Sequence, residues 1–259
     1  VGKTLYFHIQ ILSTKRECLY EYHFIKEEMS WDEARAYCRE NYTDLAKVFD
    51  LTDMRRLQDS AQSQTQAWIG LYSEPGGDNR RWHWSLPGEE YTENKTCWGA
   101  GQPNDYGGTP ENCVMTSMAW IDFPCTHTFQ FICYNDKLIL IRENQTWEKA
   151  LNYCRQTHHD LVTISNPHQQ RWVQERAKNA LTPFVWLGLQ YGCTLGLWFW
   201  VNDNLVCYER WASGGRTEAC GMSAAMTTGG QHEWVSQREN ETFNFICPLM
   251  FTQSEETLC

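Results

Sequence analysis

The chain has 259 residues, a formal net charge of −10 and 42% hydrophobic residues, enough for two domains that each bury a core. The acidic balance excludes the basic surface that counterion-release binding of nucleic acid requires, and no run approaches the roughly 18 to 20 apolar residues of a membrane span. Twelve cysteines and thirteen tryptophans point instead to a disulfide-bonded, aromatic-rich protein of an oxidising compartment.

The N-terminal segment 1–18 holds an apolar stretch, Leu5 to Leu12, that reads as a first strand or the remnant of a signal sequence. The start at Val1 without a clear signal peptide is expected of a processed chain or a fragment. Ser30 with Glu33 three residues on is a capping box, and Trp31, Ala34 and Cys38 behind it recur at helical spacing. A second helix is predicted over Asp53 to Ala61. Short aromatic runs follow, AWIGL at 67–71, RWHWS at 81–85, MAWID at 118–122 and FQFICY at 129–134, broken by Gly, Asn and Pro as strands and loops are.

The same series then recurs about 115 residues later. TWEKALNYCRQTHHDLVTI (146–164) repeats SWDEARAYCRENYTDLAKV (30–48), with Asn144 and Thr146 at the helix start. A second helix is expected from His168 to Asn179. VWLGL, LWFWV, HEWVS and FNFICP answer the four aromatic runs in order. Helices first and strands later favour an α+β fold. Between Tyr134 and Lys137 there is no flexible tract, so the two units should abut in a restricted orientation. Sequons at Asn41, Asn94, Asn144 and Asn240 mark glycosylation acceptors and agree with a secreted chain or an ectodomain.

Together the W-I-G-L and W-L-G-L motifs, the helix cysteines Cys38 and Cys154 and the closing F-I-C runs resemble the C-type lectin-like fold, twice over. The resemblance implies two tandem α+β domains, 19–134 and 135–249, before a polar tail at 250–259. Each has two helices, short antiparallel sheets and a long loop, stapled by disulfides. It implies Cys38–Cys133 and Cys154–Cys247, each closing a loop that stabilises by roughly 4 to 5 kcal/mol in the chain-entropy model. It also implies Cys113–Cys125 across the first long loop; in the second, Cys220 matches Cys113 but Glu239 stands where Cys125 would be. Cys18, Cys97, Cys193, Cys207, Cys220 and Cys259 keep several pairings open, with Cys193–Cys207 the local choice. Cys259 reads as a free or locally paired thiol, or as a link between chains.

In that family a calcium ion, held by oxygens flanking a cis proline and by an Asn-Asp pair after a tryptophan, grips vicinal sugar hydroxyls. The matching set in unit 1 is Gln102, Asn104, Glu111 and Asp122, with Trp98, Asp105 and Tyr106 beside it as ligand-contact residues. Both proline flanks are neutral amides, and Ile121 has no oxygen where the pattern carries Asn. Fewer charged donors weaken a hard dication site, so calcium would bind weakly in unit 1, and a metal-free loop is favoured. Asp105 and Asn112 match an auxiliary calcium site. Unit 2 has no proline motif and ends in Trp234-Val235-Ser236; its loop offers Trp211, His232, and Arg216, Met222 and Met226, the last three expected to face a partner.

The expected function is non-enzymatic recognition outside the cell. The ligand is a glycan gripped through a degenerate calcium site, or a cell-surface or secreted protein bound by metal-free loops. A secreted hydrolase is the remote alternative: His158-His159-Asp160 follows a helix where polar surface is expected, and no HExxH, GxSxG or P-loop accompanies it.

Overall fold

Ser30 opens the first helix as the sequence pattern predicts. Its backbone N–H and hydroxyl both donate to Glu33 Oε2, at 3.0 and 2.6 Å. The computed structural model describes residues 19–61, 66–74, 80–86, 91, 97–106, 108–204 and 206–249. The expectations for Leu5 to Leu12, Cys18, Asn94 and Cys259 lie outside them.

The first sheet takes strands β1 (Tyr20–Met29), β2 (Asp44–Leu45), β3 (Ala67–Ser73), β4 (Trp82–Trp84), β5 (Cys113–Thr116), β6 (Trp120–Phe123) and β7 (Phe129–Asp136). Helices α1 (Trp31–Asn41) and α2 (Leu51–Ser60) precede β3. The second sheet takes β8 (Leu138–Gln145), β9 (Phe184–Gly192), β10 (Leu197–Trp200), β11 (Met222–Thr227), β12 (Trp234–Arg238) and β13 (Phe243–Pro248), with α3 (Trp147–Thr157) and α4 (Pro167–Ala177) before β9. Strand orders β1-β7-β3-β5-β6 and β8-β13-β9-β11-β12 are the same path, so the repeat in sequence is a repeat in topology.

The tryptophan-glycine motifs have a steric cause. Gly70 N–H bonds Ala46 O, and a Cβ on Gly70 would stand 2.9 Å from Leu45 O. Gly188 N–H bonds Val162 O, and its Cβ would stand 2.7 Å from Leu161 O. Only a residue without a side chain lets β3 and β9 approach so closely. The helix tryptophans lock against the same strands: Trp31 Nε1 donates to Ile69 O and Trp147 Nε1 to Leu187 O, each at 2.8 Å.

Among the described residues four disulfides are formed: Cys38–Cys133, Cys113–Cys125, Cys154–Cys247 and Cys193–Cys220. The last corrects the local Cys193–Cys207 expectation. Cys193 follows the end of β9 and Cys220 precedes β11, its antiparallel neighbour, which brings them together across the ladder. Cys207 lies exposed on the intervening loop and is reduced, as is Cys97. Glu239 fills the place of Cys125, since both carbonyls accept from the tryptophan N–H that starts a helix, Trp147 and Trp31 respectively.

Helix α4 joins the two units. Trp172, 1% exposed, stacks on Tyr20 at 4.0 Å and meets Phe49 edge-on, while Lys47 Nζ lies 4.6 Å over its ring. Polar groups ring this contact. His168 Nδ1 lies 3.1 Å from Asp50 Oδ2, and its Nε2 faces Asp53 Oδ1 and the Tyr20 hydroxyl. Trp172 Nε1 donates to Asp53 Oδ1, Arg171 to Phe49 O, and Arg176 pairs with Asp136. Burial drives the Asp53 carboxyl upward from its ordinary range. Burial pushes Asp50 the same way, but the His168 hydrogen bond and charge, with two backbone amides, hold it well below that range. Asp50, Asp53 and His168 are close enough to share an ion, yet the two ring nitrogens face different carboxylates, so the cluster reads as a clasp between units.

Two predictions follow from this packing. Trp172→Ala should cost about 3 to 5 kcal/mol and split one calorimetric unfolding transition into two; an unsplit transition at unchanged Tm would contradict the shared core. Non-reducing peptide mapping should recover Cys193 linked to Cys220, and a Cys193–Cys207 peptide would refute the pairing.

Candidate functional site

The long loop of unit 1 leaves β4, reaches Trp98, and returns to β5 through Gln102–Asn112. Gly101 and Gly108 turn it with positive φ, and Asp105 adopts φ 50°, a conformation Asp tolerates better than most residues. The Gln102–Pro103 peptide is cis. Asp105 Oδ1 accepts Glu111 N–H at 2.8 Å, and Glu111 Oε2 accepts Tyr106 N–H at 2.8 Å, closing the loop on itself.

Asp122, on β6, is the centre of this arrangement. It is 1% exposed, so its charge must be answered by the protein. Its Oδ1 accepts Asn104 N–H at 3.0 Å, and its Oδ2 accepts Asp105 N–H at 3.0 Å and Arg80 Nη2 at 2.7 Å. Arg80, just before β4, also donates from Nη1 to Glu111 O at 2.8 Å, lies 4.0 Å from Asp105 Oδ1, and spreads over the Trp82 ring at 5.1 Å. A guanidinium with 13% side-chain exposure thus stands among the acids of the loop.

The structure brings Asn104, Asp105, Glu111 and Asp122 into this one network. Burial pushes the Glu111 carboxyl up; the Tyr106 amide opposes this, Asp122 and Asp105 reinforce it, and Arg80 draws it back.

These residues do not fit a calcium cage. Such an ion takes about six to eight oxygens. Both Asp122 oxygens are spent on amides and Arg80, one Glu111 oxygen is spent on Tyr106 N–H, and Asn104 Oδ1 also accepts that N–H. Asn112 Oδ1, of the auxiliary set, accepts the Ser73 hydroxyl. Of the four expected ligands only Gln102 offers a buried oxygen, Oε1, without a partner among the described residues, and it is neutral. A dication about 4 Å from a guanidinium is repelled by about 8 kcal/mol at an effective dielectric of about 20.

Other expected contact residues lie elsewhere. Trp98 is half buried, packed on Trp82 and Trp120 with Nε1 donating to the Tyr91 hydroxyl, so part of its ring serves the core. Tyr106 is 81% exposed. Arg216 belongs to unit 2, where it is exposed and paired with Glu209 and Glu218. Met226, expected to face outward, is fully buried, its sulfur contacted by Gln170; Met222 is half buried. The cause is β11, which runs between β9 and β12 as a central strand.

At the position of Asp122, unit 2 has Ser236, whose hydroxyl accepts Thr217 N–H and donates to Gly215 O. A neutral hydroxyl there needs no cation, and Gly196 stands where Arg80 does. His159 is exposed, and Asp160 is paired with Arg155 as Asp44 is with Arg39. Arg80 was missed in the sequence; its signal was a basic residue in unit 1 with glycine at the matching place in unit 2.

The Lectin C-type domain family profile matches residues 27–135 and 143–249. L-selectin of Bos taurus is 35% identical over 121 residues, 44% of this chain and 31% of that protein. C-type mannose receptor 2 of Homo sapiens is 22% identical over 236 residues, 80% of this chain and 16% of that one. The chain therefore spans under a third of the length of these curated relatives. Among solved structures, human lithostathine superposes with TM-score 0.39 at 27% identity, covering 47% of this chain and 95% of that chain. The mouse scavenger receptor C-type lectin carbohydrate-recognition domain gives 0.41 at 24% identity, covering 47% and 94%. By its sequence match over both repeats, the chain belongs to the C-type lectin domain family.

Proposed function

We propose that the chain is a non-enzymatic recognition protein acting outside the cell, and that the long-loop face of unit 1 engages its ligand without calcium. The observation that carries this is the engagement of Asp122 by two amides and the Arg80 guanidinium. Exposed Asn104, Asp105 and Tyr106 form the contact face, with an aromatic ring free to pack against a partner. A cell-surface or secreted protein is the ligand class this face suits best.

A glycan is the second reading, favoured by Tyr106, whose open ring suits a sugar face. In this reading the sugar hydroxyls meet the polar loop edge, and calcium bound weakly through Gln102, Asn104, Glu111 and Asp122 is its metal-dependent form. The extracellular setting is supported by the four disulfides and by Asn41, Asn144 and Asn240, all exposed acceptors. No helix among the described residues is long and apolar enough to cross a membrane. Two short units in one chain also resemble the group labelled C-type lectin domain family 20 member A, a finer placement proposed on that arrangement alone.

Thermal unfolding in excess calcium and in chelator tests the reading. A ligand at about 100 times its dissociation constant stabilises by about 2.7 kcal/mol, so a calcium-binding loop would raise Tm by several degrees. We expect no shift, and ligand or glycan-array retention unchanged by chelator; calcium-dependent retention would overturn the proposal.

Glu111→Gln supplies a second test. Because the folded carboxyl is raised, its stabilising contribution is present at acidic pH and lost as pH rises through the folded value. The variant should therefore match or exceed wild-type Tm near pH 7, with the difference shrinking toward about pH 4. A calcium cage predicts the reverse, a lower Tm in calcium.

A further inference from the structure

We propose that the outer edge of β8 is a strand-addition site for an extended segment of a partner protein, apolar at its centre and acidic at both ends. The proposal goes beyond the unit 1 loop and is independent of it. Among the described residues β8 is the last strand of its sheet, so its outer backbone edge has no paired strand. A groove of about 720 Å³ runs along that edge, floored by the consecutive residues 138–143. Tyr153 of α3 stands on one wall, and Arg176 and Asn179 at the end of α4 stand on the other. Leu138 and Leu140 pack into the core beneath α4, and Ile141 packs into the core around α3, so the two side-chain rows of β8 serve the two walls. A slot walled by two helices suits one extended chain better than the broad sheet of a second copy.

The matching strand of unit 1 shows what is particular to β8. The two strands pair in the same register, Ile25 with Phe131 and Ile141 with Phe245. Counting back, Tyr22, His23 and Phe24 stand where Leu138, Ile139 and Leu140 do. In unit 1 the Tyr22 hydroxyl donates to Lys47 O and His23 stacks on Tyr42 at 4.6 Å, so these side chains are engaged locally. In unit 2 the row Ile139 to Ile141 is apolar and only half buried, and it lines the groove. Charge at the rim selects the occupant. Exposed Arg142 engages Asn179 O through Nε at 3.1 Å, and among the described residues its other guanidinium nitrogens have no partner. Arg176 pairs with Asp136 through Nη2, and its buried Nε has no partner among the described residues. Arg142 follows the apolar row, and Asp136, which holds Arg176, precedes it. Unspent guanidinium donors at both ends of an apolar strand edge call for carboxylates at both ends of the strand added to it. Glu143, the one acid among the groove residues, is outnumbered by the two arginines.

The probe is the end-blocked, fluorescein-labelled peptide EVLVE, which in a strand sets its acids and its leucine on the side of Arg142, Leu140 and the Arg176 end. KVLVK reverses the charge, and a fully N-methylated EVLVE keeps the side chains but removes every backbone donor. Anisotropy titration of the whole chain measures binding, and hydrogen exchange locates it. Wild type should bind EVLVE at least about ten-fold tighter than either control, with exchange slowed at amides within 138–143. Arg142→Glu should weaken EVLVE by about ten-fold or more, while Arg238→Glu, on the opposite edge strand β12, should leave it unchanged. If Arg142→Glu does not fold, Arg142→Gln carries the same comparison. Equal binding of KVLVK, undiminished binding of the N-methylated form, slowing confined to other segments, or no binding at millimolar peptide overturns the proposal. Slowing of the same amides without peptide, as the chain dimerises with rising concentration, also overturns it by placing a second copy in the groove. Each of these results leaves the calcium question in unit 1 untouched.

Discussion

A carboxylate shut away from water has to be met by donors or by opposite charge, and Asp122 sets that demand at the heart of unit 1. Its burial on β6 is fixed by the sheet, so the loop had to supply the answer. Two successive amides at Asn104 and Asp105 turn inward to it, which fixes the path of the loop after Pro103. Arg80 brings the compensating charge from the segment just before β4. The outward face, with Asn104, Asp105 and Tyr106 open to a partner, is the other surface of the same turn.

The two units solve one folding problem and diverge at one point. Each closes on a helix cysteine bonded to its last long strand, a tryptophan indole donating into the strand behind it, and a glycine that lets the backbones touch. Those devices make the scaffold; the loops differ because Ser236 relieves unit 2 of a charge that unit 1 must balance. Between them, α4 lays Trp172 against Tyr20, Phe49 and Tyr134, so the hydrophobic core continues across the repeat boundary. The two units are thereby joined by a shared core.

Local devices were readable from the sequence because their causes are local. Ser30 and Glu33 are three residues apart, α1 shows its helical spacing and α3 repeats it, and the W-[IL]-G-L runs recur in β3 and β9. Partners set by the third dimension were not. Cys193 reaches Cys220 because two strands pair, a relation invisible to a rule that favours the nearest cysteine. Met226 looked like surface until β11 became a central strand. Arg80 is over twenty residues from the proline motif, and only the fold places it there. Counting oxygens in the sequence favoured a metal-free loop, but nothing in the count revealed that Arg80 would stand beside Asp122.

The account stands on Arg80 remaining with Asp122 when calcium is offered. A crystal structure of the wild-type chain grown in millimolar calcium tests this most directly. We expect the guanidinium within hydrogen-bond distance of Asp122 and the Glu111 carbonyl, with no ion between them. An ion coordinated by Glu111 and Asp122, with Arg80 turned away to solvent, would contradict it.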